Sequence, residues 1–175
     1  MRRVIIIGSA GSGKSTLAEK LAQKTGGAYV DLDQFHHLPG WKERDTADFC
    51  RLVDEATRGD AWVVAGNYTT RAQPILRPRA DTLIWLDMPF RANFWQLLRR
   101  TFRRVRTGES ICNGNCETVT KSFFSKNSIL WWFLTTWAKN RKKNRELFAR
   151  PQDYPHLKMI RLRSYAESAK FLEEA

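Results

Sequence analysis

The chain has 175 residues, of which 42% are hydrophobic and 12% aromatic, a composition that predicts one folded domain and excludes an intrinsically disordered chain. Thirty lysines and arginines against 18 acidic residues give a net charge of +12, which favours polyanionic partners such as nucleotides, nucleic acid or an anionic membrane. No apolar run is long enough to span a bilayer, and the first one is too short for a signal peptide. We therefore expect a cytoplasmic protein with no membrane partner.

Short apolar runs alternate with helix-like stretches, a pattern typical of an α/β domain built on a parallel sheet. The predicted strands, in chain order, are 4–7, 28–32, 61–65, 82–86 and 158–162. The predicted helices are 14–24, 46–58, 89–106, 128–149 and 165–174. Residues 107–127 are polar and contain glycine, so we predict a mobile loop there.

The segment between the first strand and the first helix fits the pattern G-x-x-x-x-G-K-[ST]. Glycines let the backbone approach phosphates closely, the successive N–H groups form an anion site, and the next helix adds its positive end. The lysine is expected to reach the β- and γ-phosphates and to act in catalysis, and the serine to ligate magnesium. The predicted nucleotide contacts are Gly8, Ser9, Gly11, Ser12, Gly13, Lys14, Ser15 and Thr16. ATP is favoured over GTP because no Asn-Lys-x-Asp pattern is present.

Acidic residues follow two of the predicted strands. Asp31 and Asp33 end the second strand, at the sheet edge where ligands bind in open α/β sheets. Residues two apart point to one face of a strand, so one carboxylate would order magnesium while Asp33 accepts a proton from an attacking hydroxyl. The alternative is that either residue only caps a turn. Asp87 ends the fourth strand as a candidate magnesium ligand, with a helix cap as its alternative. The predicted metal set is Ser15, Asp31, Asp33 and Asp87.

Two basic segments flank the predicted loop. Residues 91–106 contain six arginines and no acid, and residues 139–150 contain six basic residues and one acid. Phosphoryl transfer needs positive charge around the transferred group and exclusion of water, which an arginine-bearing lid supplies. We place this lid at about residues 99–145, with Arg100, Arg104 and Arg141 as its candidate catalytic residues. The alternative for each is a solvated basic face that meets nucleic acid. Cys112 and Cys116 supply at most half of a zinc site.

The chain resembles the adenylate-kinase-like P-loop kinases, and most closely the DNA topology modulation protein family. The matching stretches are residues 5–18, Asp31-Leu32-Asp33 with Pro39-Gly40-Trp41, residues 62–68, residues 79–89 and Arg161-Leu162-Arg163-Ser164. They span nearly the whole chain. One departure is Ala65, where the family often has an aspartate.

The resemblance implies a single domain over residues 1–175, with the three-layer P-loop NTPase sandwich, a five-stranded parallel sheet in the order 2-3-1-4-5 and a helical lid. It also implies an ATP-dependent site that uses Mg²⁺, with adenine held near Arg163 and Ser164. The function expected is a kinase for a small molecule, such as a nucleoside or nucleotide, bound near Asp33, Asn67 and Arg77. The alternatives are a nucleotide-dependent nucleic-acid-binding protein and an ATPase switch. The oligomeric state stays open.

Overall fold

Short strands and longer helices alternate along the computed structural model, which describes residues 1–116 and 128–175. The strands are β1 (Arg3–Gly8), β2 (Ala28–Asp31), β3 (His37–Leu38), β4 (Lys42–Glu43), β5 (Trp62–Ala65), β6 (Thr82–Leu86) and β7 (Lys158–Leu162). The helices are α1 (Lys14–Thr25), α2 (Leu32–His36), α3 (Thr46–Ala56), α4 (Gln73–Leu76), α5 (Phe90–Thr107), α6 (Ile129–Phe148) and α7 (Tyr165–Glu174). The remainder of the predicted loop, 117–127, lies outside the described residues.

Five parallel strands form the main sheet in the order β2-β5-β1-β6-β7, and β3 and β4 form a small antiparallel pair. In the register of the sheet, Ile5 of β1 lies opposite Val64 of β5 on one side and Leu83 of β6 on the other. The central strand is a continuous apolar run because helices cover both of its faces. The predicted α/β class and strand order are confirmed: β2, β5, β1, β6 and β7 are the second, third, first, fourth and fifth of the predicted strands.

Alternate residues of β1 pack into two hydrophobic clusters on opposite faces of the sheet, as the period of a strand requires. Ile5 and Ile7 join residues of α3 and α4, and the end of α6 packs against them. Val4 and Ile6 join residues of α1, and α7 packs against that cluster. This is the predicted three-layer sandwich, with the sheet in the middle. Among the described residues, no helix combines the length and the apolar character needed to cross a membrane.

The structure departs from the predicted elements in two places that matter for the site. The second strand ends at Asp31, and α2 begins at Leu32, so Asp33 lies in a first helical turn rather than on a strand. The predicted loop after α5 begins with an ordered turn: Cys112–Gly114 forms a 3₁₀ helix, and Ser110 bridges Cys116. Its described part is therefore held by hydrogen bonds instead of being free.

Asp81 ties the start of β1 to the start of β6. Its carboxylate accepts hydrogen bonds from the backbone N–H groups of Arg2 and Arg3 at 2.8 Å each and from the Thr82 hydroxyl at 2.7 Å. Burial alone would raise the pKa of Asp81, but these hydrogen bonds outweigh it and lower the pKa below 3.8.

We predict that Asp81→Ala lowers the free energy of unfolding by about 1–2 kcal/mol at neutral pH, because the hydrogen bonds to a charged acceptor are lost. Since folding lowers the pKa, the contribution is complete above the unfolded pKa and disappears as the pH falls through the lower folded value. Urea unfolding between neutral and acid pH measures both effects, with the exposed Asp60→Ala as control. Equal stability of wild type and Asp81→Ala at pH 7 would contradict the assignment.

Candidate active site

The loop between β1 and α1 is shaped by glycines that no other residue could replace without strain. Gly11 has φ 75° and Gly13, the N-cap of α1, has φ 89°, both in the left-handed region. A Cβ atom on Gly11 would lie 2.7 Å from the carbonyl oxygen of Asn93. The Ser12 hydroxyl is buried and has no hydrogen-bond partner within the part of the chain that the structure describes. A tight backbone cradle with an unsatisfied polar atom fits a phosphate ligand.

Side chains from other elements hold this loop in place. The Asn67 amide, just after β5, accepts from the N–H of Gly8 at 3.1 Å and donates to the Gly8 carbonyl at 2.9 Å. The Tyr165 hydroxyl of α7 donates to the Gly11 carbonyl at 3.0 Å. Asn67 was predicted near the acceptor, but its amide is engaged with the loop itself. We therefore assign it a clamp on the phosphate-binding loop.

The side chain of Lys14, at the start of α1, folds back over the phosphate-binding loop. Its ammonium Nζ donates to the Ser9 carbonyl at 3.0 Å. Burial lowers the pKa of Lys14, Asp33 and Asp31 oppose this shift, and Arg100 adds to it. The Lys14 ammonium is therefore near two carboxylates and one guanidinium group. This is the charge pattern expected between a phosphoryl donor and a proton acceptor.

The two predicted carboxylates remain neighbours although they lie on different elements. Asp31 is the N-cap of α2 and accepts from the N–H of Asp33 at 3.0 Å, so the capping alternative holds for Asp31. Burial raises the pKa of Asp31, and the charge of Asp33 raises it further. Two tyrosines complete the group: Tyr29 donates to Asp31 at 3.1 Å, and Tyr68 donates to Asp33 at 2.7 Å.

Tyr68 fixes one oxygen of Asp33 while the carboxylate stays exposed. Burial raises the pKa of Tyr68, and Asp33 raises it further, so the phenol remains a donor. Ser15, the predicted magnesium ligand, begins the exposed part of α1, and its hydroxyl interacts with the Tyr29 phenol. Ser15, Tyr29 and Asp31 thus bring oxygen atoms together near Lys14, and oxygen is the ligand that Mg²⁺ prefers.

The predicted lid arginines separate into two groups. Arg100 of α5 acts on Lys14 electrostatically, and Arg104, one turn later, forms an ion pair with Glu109 at 3.5 Å. Both lie on the face of α5 that is turned away from solvent. Arg141 of α6 is bound elsewhere, to Asp87.

Asp87 is buried between two guanidinium groups. Arg141 Nε donates to one carboxylate oxygen at 2.6 Å, and Arg161 Nε donates to the other at 3.1 Å. Burial would raise the pKa of Asp87, but the hydrogen bonds from Arg141 and Arg161 outweigh it and lower the pKa. The residue does not cap α5, whose N-cap is Pro89. The ion pairs with two arginines satisfy Asp87, and the pair with Arg141 ties α6 to the end of β6.

The remaining predicted residues have local roles. The Ser164 hydroxyl caps α7 by accepting from the N–H of Glu167 at 3.0 Å, and the N–H of Arg163 donates to the Glu167 carboxylate at 2.7 Å. Arg77 donates to Gln73 and to the hydroxyl of Tyr154. Within the described ranges, no group of three or more His, Cys, Asp or Glu residues could hold a metal ion, so the Cys112 and Cys116 pair gains no further ligands there.

Sequence reasoning missed the tyrosines that orient the carboxylates, Asn93 and Tyr165 beneath the loop, and Arg161 on Asp87. The strand pattern carried a signal for Tyr29, which shares a strand face with Asp31. Tyr68 follows β5 and Tyr165 begins α7 just after β7, so both reach the site only because parallel strands end at the same edge of the sheet. No local pattern reveals that arrangement.

The comparisons with known proteins show the fold. No protein-family model and no curated protein match the chain. The structure is similar to shikimate kinase from Acinetobacter baumannii in complex with shikimate, with a TM-score of 0.56 and 14% identity over 99% of this chain and 90% of that one. It is also similar to a gluconokinase from Sinorhizobium meliloti 1021, with a TM-score of 0.50 and 17% identity over 99% of this chain and 94% of that one. The chain therefore has the P-loop NTPase fold.

We predict that Asn67→Ala weakens binding of a fluorescent ATP analogue with Mg²⁺ by about tenfold, because two hydrogen bonds that hold Gly8 are lost. Asn67→Asp keeps the acceptor for the Gly8 N–H and loses the donor, so it should lie between Ala and wild type. Fluorescence titration measures the three dissociation constants, and circular dichroism checks the folding of each variant. Unchanged affinity in Asn67→Ala would refute the clamp.

Proposed function

We propose that the protein is an ATP-dependent kinase that phosphorylates a small polar acceptor. The observation that carries the proposal is the position of Lys14, which shares one electrostatic environment with Asp33, Asp31 and Arg100 at the end of a glycine cradle. A nucleotide-binding loop alone needs no adjacent carboxylates, whereas transfer to a hydroxyl needs a proton acceptor beside the phosphoryl group. The fold shared with two proteins that are kinases by name supports this choice.

The residues of this chain divide the work as follows. The backbone N–H groups of the loop and Lys14 hold the phosphates of ATP, and Ser12 supplies a buried hydroxyl to them. Asp33, oriented by Tyr68, accepts the proton that the acceptor hydroxyl loses as its oxygen bonds to the γ-phosphorus and ADP leaves. Arg100 stabilises the negative charge that develops on the phosphoryl oxygens.

The oxygen ligands near the loop fit a magnesium ion, which would be held by Ser15 and, through water, by Asp31. When bound, the ion neutralises charge on the β- and γ-phosphates. Asp33 lies beside these oxygen ligands. Asp87 is the weakest of the four predicted magnesium ligands, because it is paired with two arginines. Arg163 and Ser164 are proposed to contact the adenine of ATP, as the family resemblance implies.

We predict that ADP release from Mg²⁺–ATP is stimulated by one member of a panel of nucleosides, nucleoside monophosphates and small hydroxyl compounds. Lys14→Ala should reduce the stimulated rate by roughly a hundredfold or more, because the phosphoryl oxygens lose their cation. Asp33→Asn should reduce it at least about a hundredfold while leaving ATP affinity unchanged, because only proton transfer is lost. A coupled ADP assay measures both rates.

Lys20→Ala, on the exposed side of α1, is the matched control and should keep the wild-type rate. Stimulation that survives Lys14→Ala would exclude this site as the catalytic centre. A flat panel with measurable ATP binding would favour a slow ATPase switch or a nucleic-acid-binding protein.

A second candidate function, nucleotide-dependent binding of nucleic acid, is favoured by the outer face of α5. Trp95 and Phe102 are each 62% exposed, and Arg99, Arg103 and Arg106 are exposed beside them. Aromatic rings that stack on bases and arginines that pair with phosphates are the combination used for single strands.

We predict for this candidate that an oligothymidine of about 20 nucleotides binds with an affinity that falls steeply with salt. Exchanging Arg99 and Arg106 for glutamine should reduce the slope of log K against log salt by about 1.4, since each phosphate contact in a single strand contributes about 0.7. Lys20→Gln is the control, and fluorescence anisotropy gives the slope. Negligible binding at low salt would remove nucleic acid as a partner.

A further inference from the structure

The turn that follows α5, residues 108–116, is a closed unit of backbone structure. The N–H of Ile111 donates to the Asn115 carbonyl at 2.7 Å, and the N–H of Asn115 donates to the Cys112 carbonyl at 3.2 Å. Asn113, at its tip, has φ 54°, a left-handed conformation that asparagine tolerates better than most residues. Cys112 at its base is buried.

Two asparagine side chains dock this turn onto residues 34–41, which are more than seventy positions away in sequence. Asn113 Nδ2 donates to the carbonyl of Gln34 at 2.8 Å and also to that of His37. Asn115 Nδ2 donates to the Leu38 carbonyl at 3.0 Å, and Asn115 Oδ1 accepts from the N–H of Trp41 at 2.9 Å.

Asn115 is the buried one of these two asparagines. It is 4% exposed, and both ends of its amide are satisfied by backbone groups of the other segment. A buried amide left without partners is costly, so the two segments are stabilised only together.

The docked segments carry the two halves of the candidate site. Residues 34–41 continue directly from Asp33 in α2, and the 108–116 turn continues from the arginine-bearing end of α5. Glu109, inside the turn, forms an ion pair with Arg104 at 3.5 Å. The buried thiol of Cys112 lies near Asp33, Asp31 and Arg104, and burial raises its pKa to about 11.

We propose that Asn115 is a positioning residue that holds the arginine-bearing end of α5 opposite Asp33, on the side of the site where the acceptor hydroxyl meets Asp33. The inference rests on the proposed kinase function for its catalytic consequence and on hydrogen bonds alone for the docking. Without the Asn115 amide the arginines of α5 and Asp33 are no longer held in one arrangement, so binding of the acceptor beside Asp33 weakens.

The docking is tested by hydrogen exchange followed by mass spectrometry on the full chain. In Asn115→Ala, peptides covering 34–41 and 108–116 should both exchange at least tenfold faster than in wild type, since each segment loses its partner. Asn113→Gly keeps the left-handed backbone, removes the second amide and should give a smaller change in the same two peptides. Asn144→Ala, an amide of the same size on α6, is the matched control.

Alkylation of the Cys112 thiol provides a second test of the docking. The Cys112 thiol is buried, so iodoacetamide should alkylate it slowly in wild type and at least tenfold faster in Asn115→Ala, as measured in a Cys50→Ser/Cys116→Ser background. Faster exchange in 108–116 with no change in 34–41, or unchanged alkylation, would overturn the docking.

Catalysis separates this inference from the proposed function. With whichever acceptor stimulates ADP release, Asn115→Ala should raise the acceptor KM about tenfold or more and leave the dissociation constant of the ATP analogue unchanged. Loss of ATP affinity in step with acceptor KM would show a general structural effect and overturn the positioning role. If no acceptor stimulates the enzyme but both peptides exchange faster together, the kinase proposal fails while the docking holds.

Discussion

The close packing of the glycine backbone at the end of β1 is the constraint on which the rest of this structure depends. Gly8 and Gly11 are packed so tightly against Leu86 and Asn93 that a side chain at either position would overlap them. The N–H groups can then point at a phosphate, but the glycines of the loop have no side chains that could fix its shape. Its rigidity is supplied from β5 and α7, by the Asn67 and Tyr165 contacts. The order of the sheet, which places β5 and β6 on either side of β1, makes those contacts possible.

A second constraint is electrostatic, because three aspartates of a chain with a charge of +12 lie at or just after strand ends on one edge of the sheet. Asp31 and Asp33 lie close to Lys14 and remain within reach of a ligand, whereas Asp87 is neutralised by Arg141 and Arg161. These are two uses of a carboxylate at a strand end. Asp33 is exposed and oriented by Tyr68, which suits proton transfer. Asp87 is buried and paired with two arginines, which suits the attachment of α6 to the sheet.

The fold was predictable because its signals are local and repeated: five apolar runs with helical periods between them, and a glycine pattern at one strand end. The same reasoning placed Lys14, Asp31 and Asp33 correctly at one edge, since parallel strands end together. It assigned Asp87 and Arg141 separately and missed that they bind each other, because the pairing joins residues 54 positions apart. It also predicted one mobile loop over residues 107–127 from their polarity. Asn113 and Asn115 instead use their polar side chains to bind the backbone of another segment.

That last case changes how the lid region is understood. Polar, glycine-containing composition predicts a solvated loop only when its amides have no backbone groups to bind. Here two amides bind the carbonyls of Gln34 in α2 and of His37 and Leu38 in the short strand β3. Each segment thus supplies hydrogen-bonding groups to the other, and Asp33 adjoins the first segment while Arg104 adjoins the second. The geometry of the candidate site is in this way fixed partly by contacts between the α2–β3 segment and the 108–116 turn, while the sheet positions the phosphate-binding loop and Asp31.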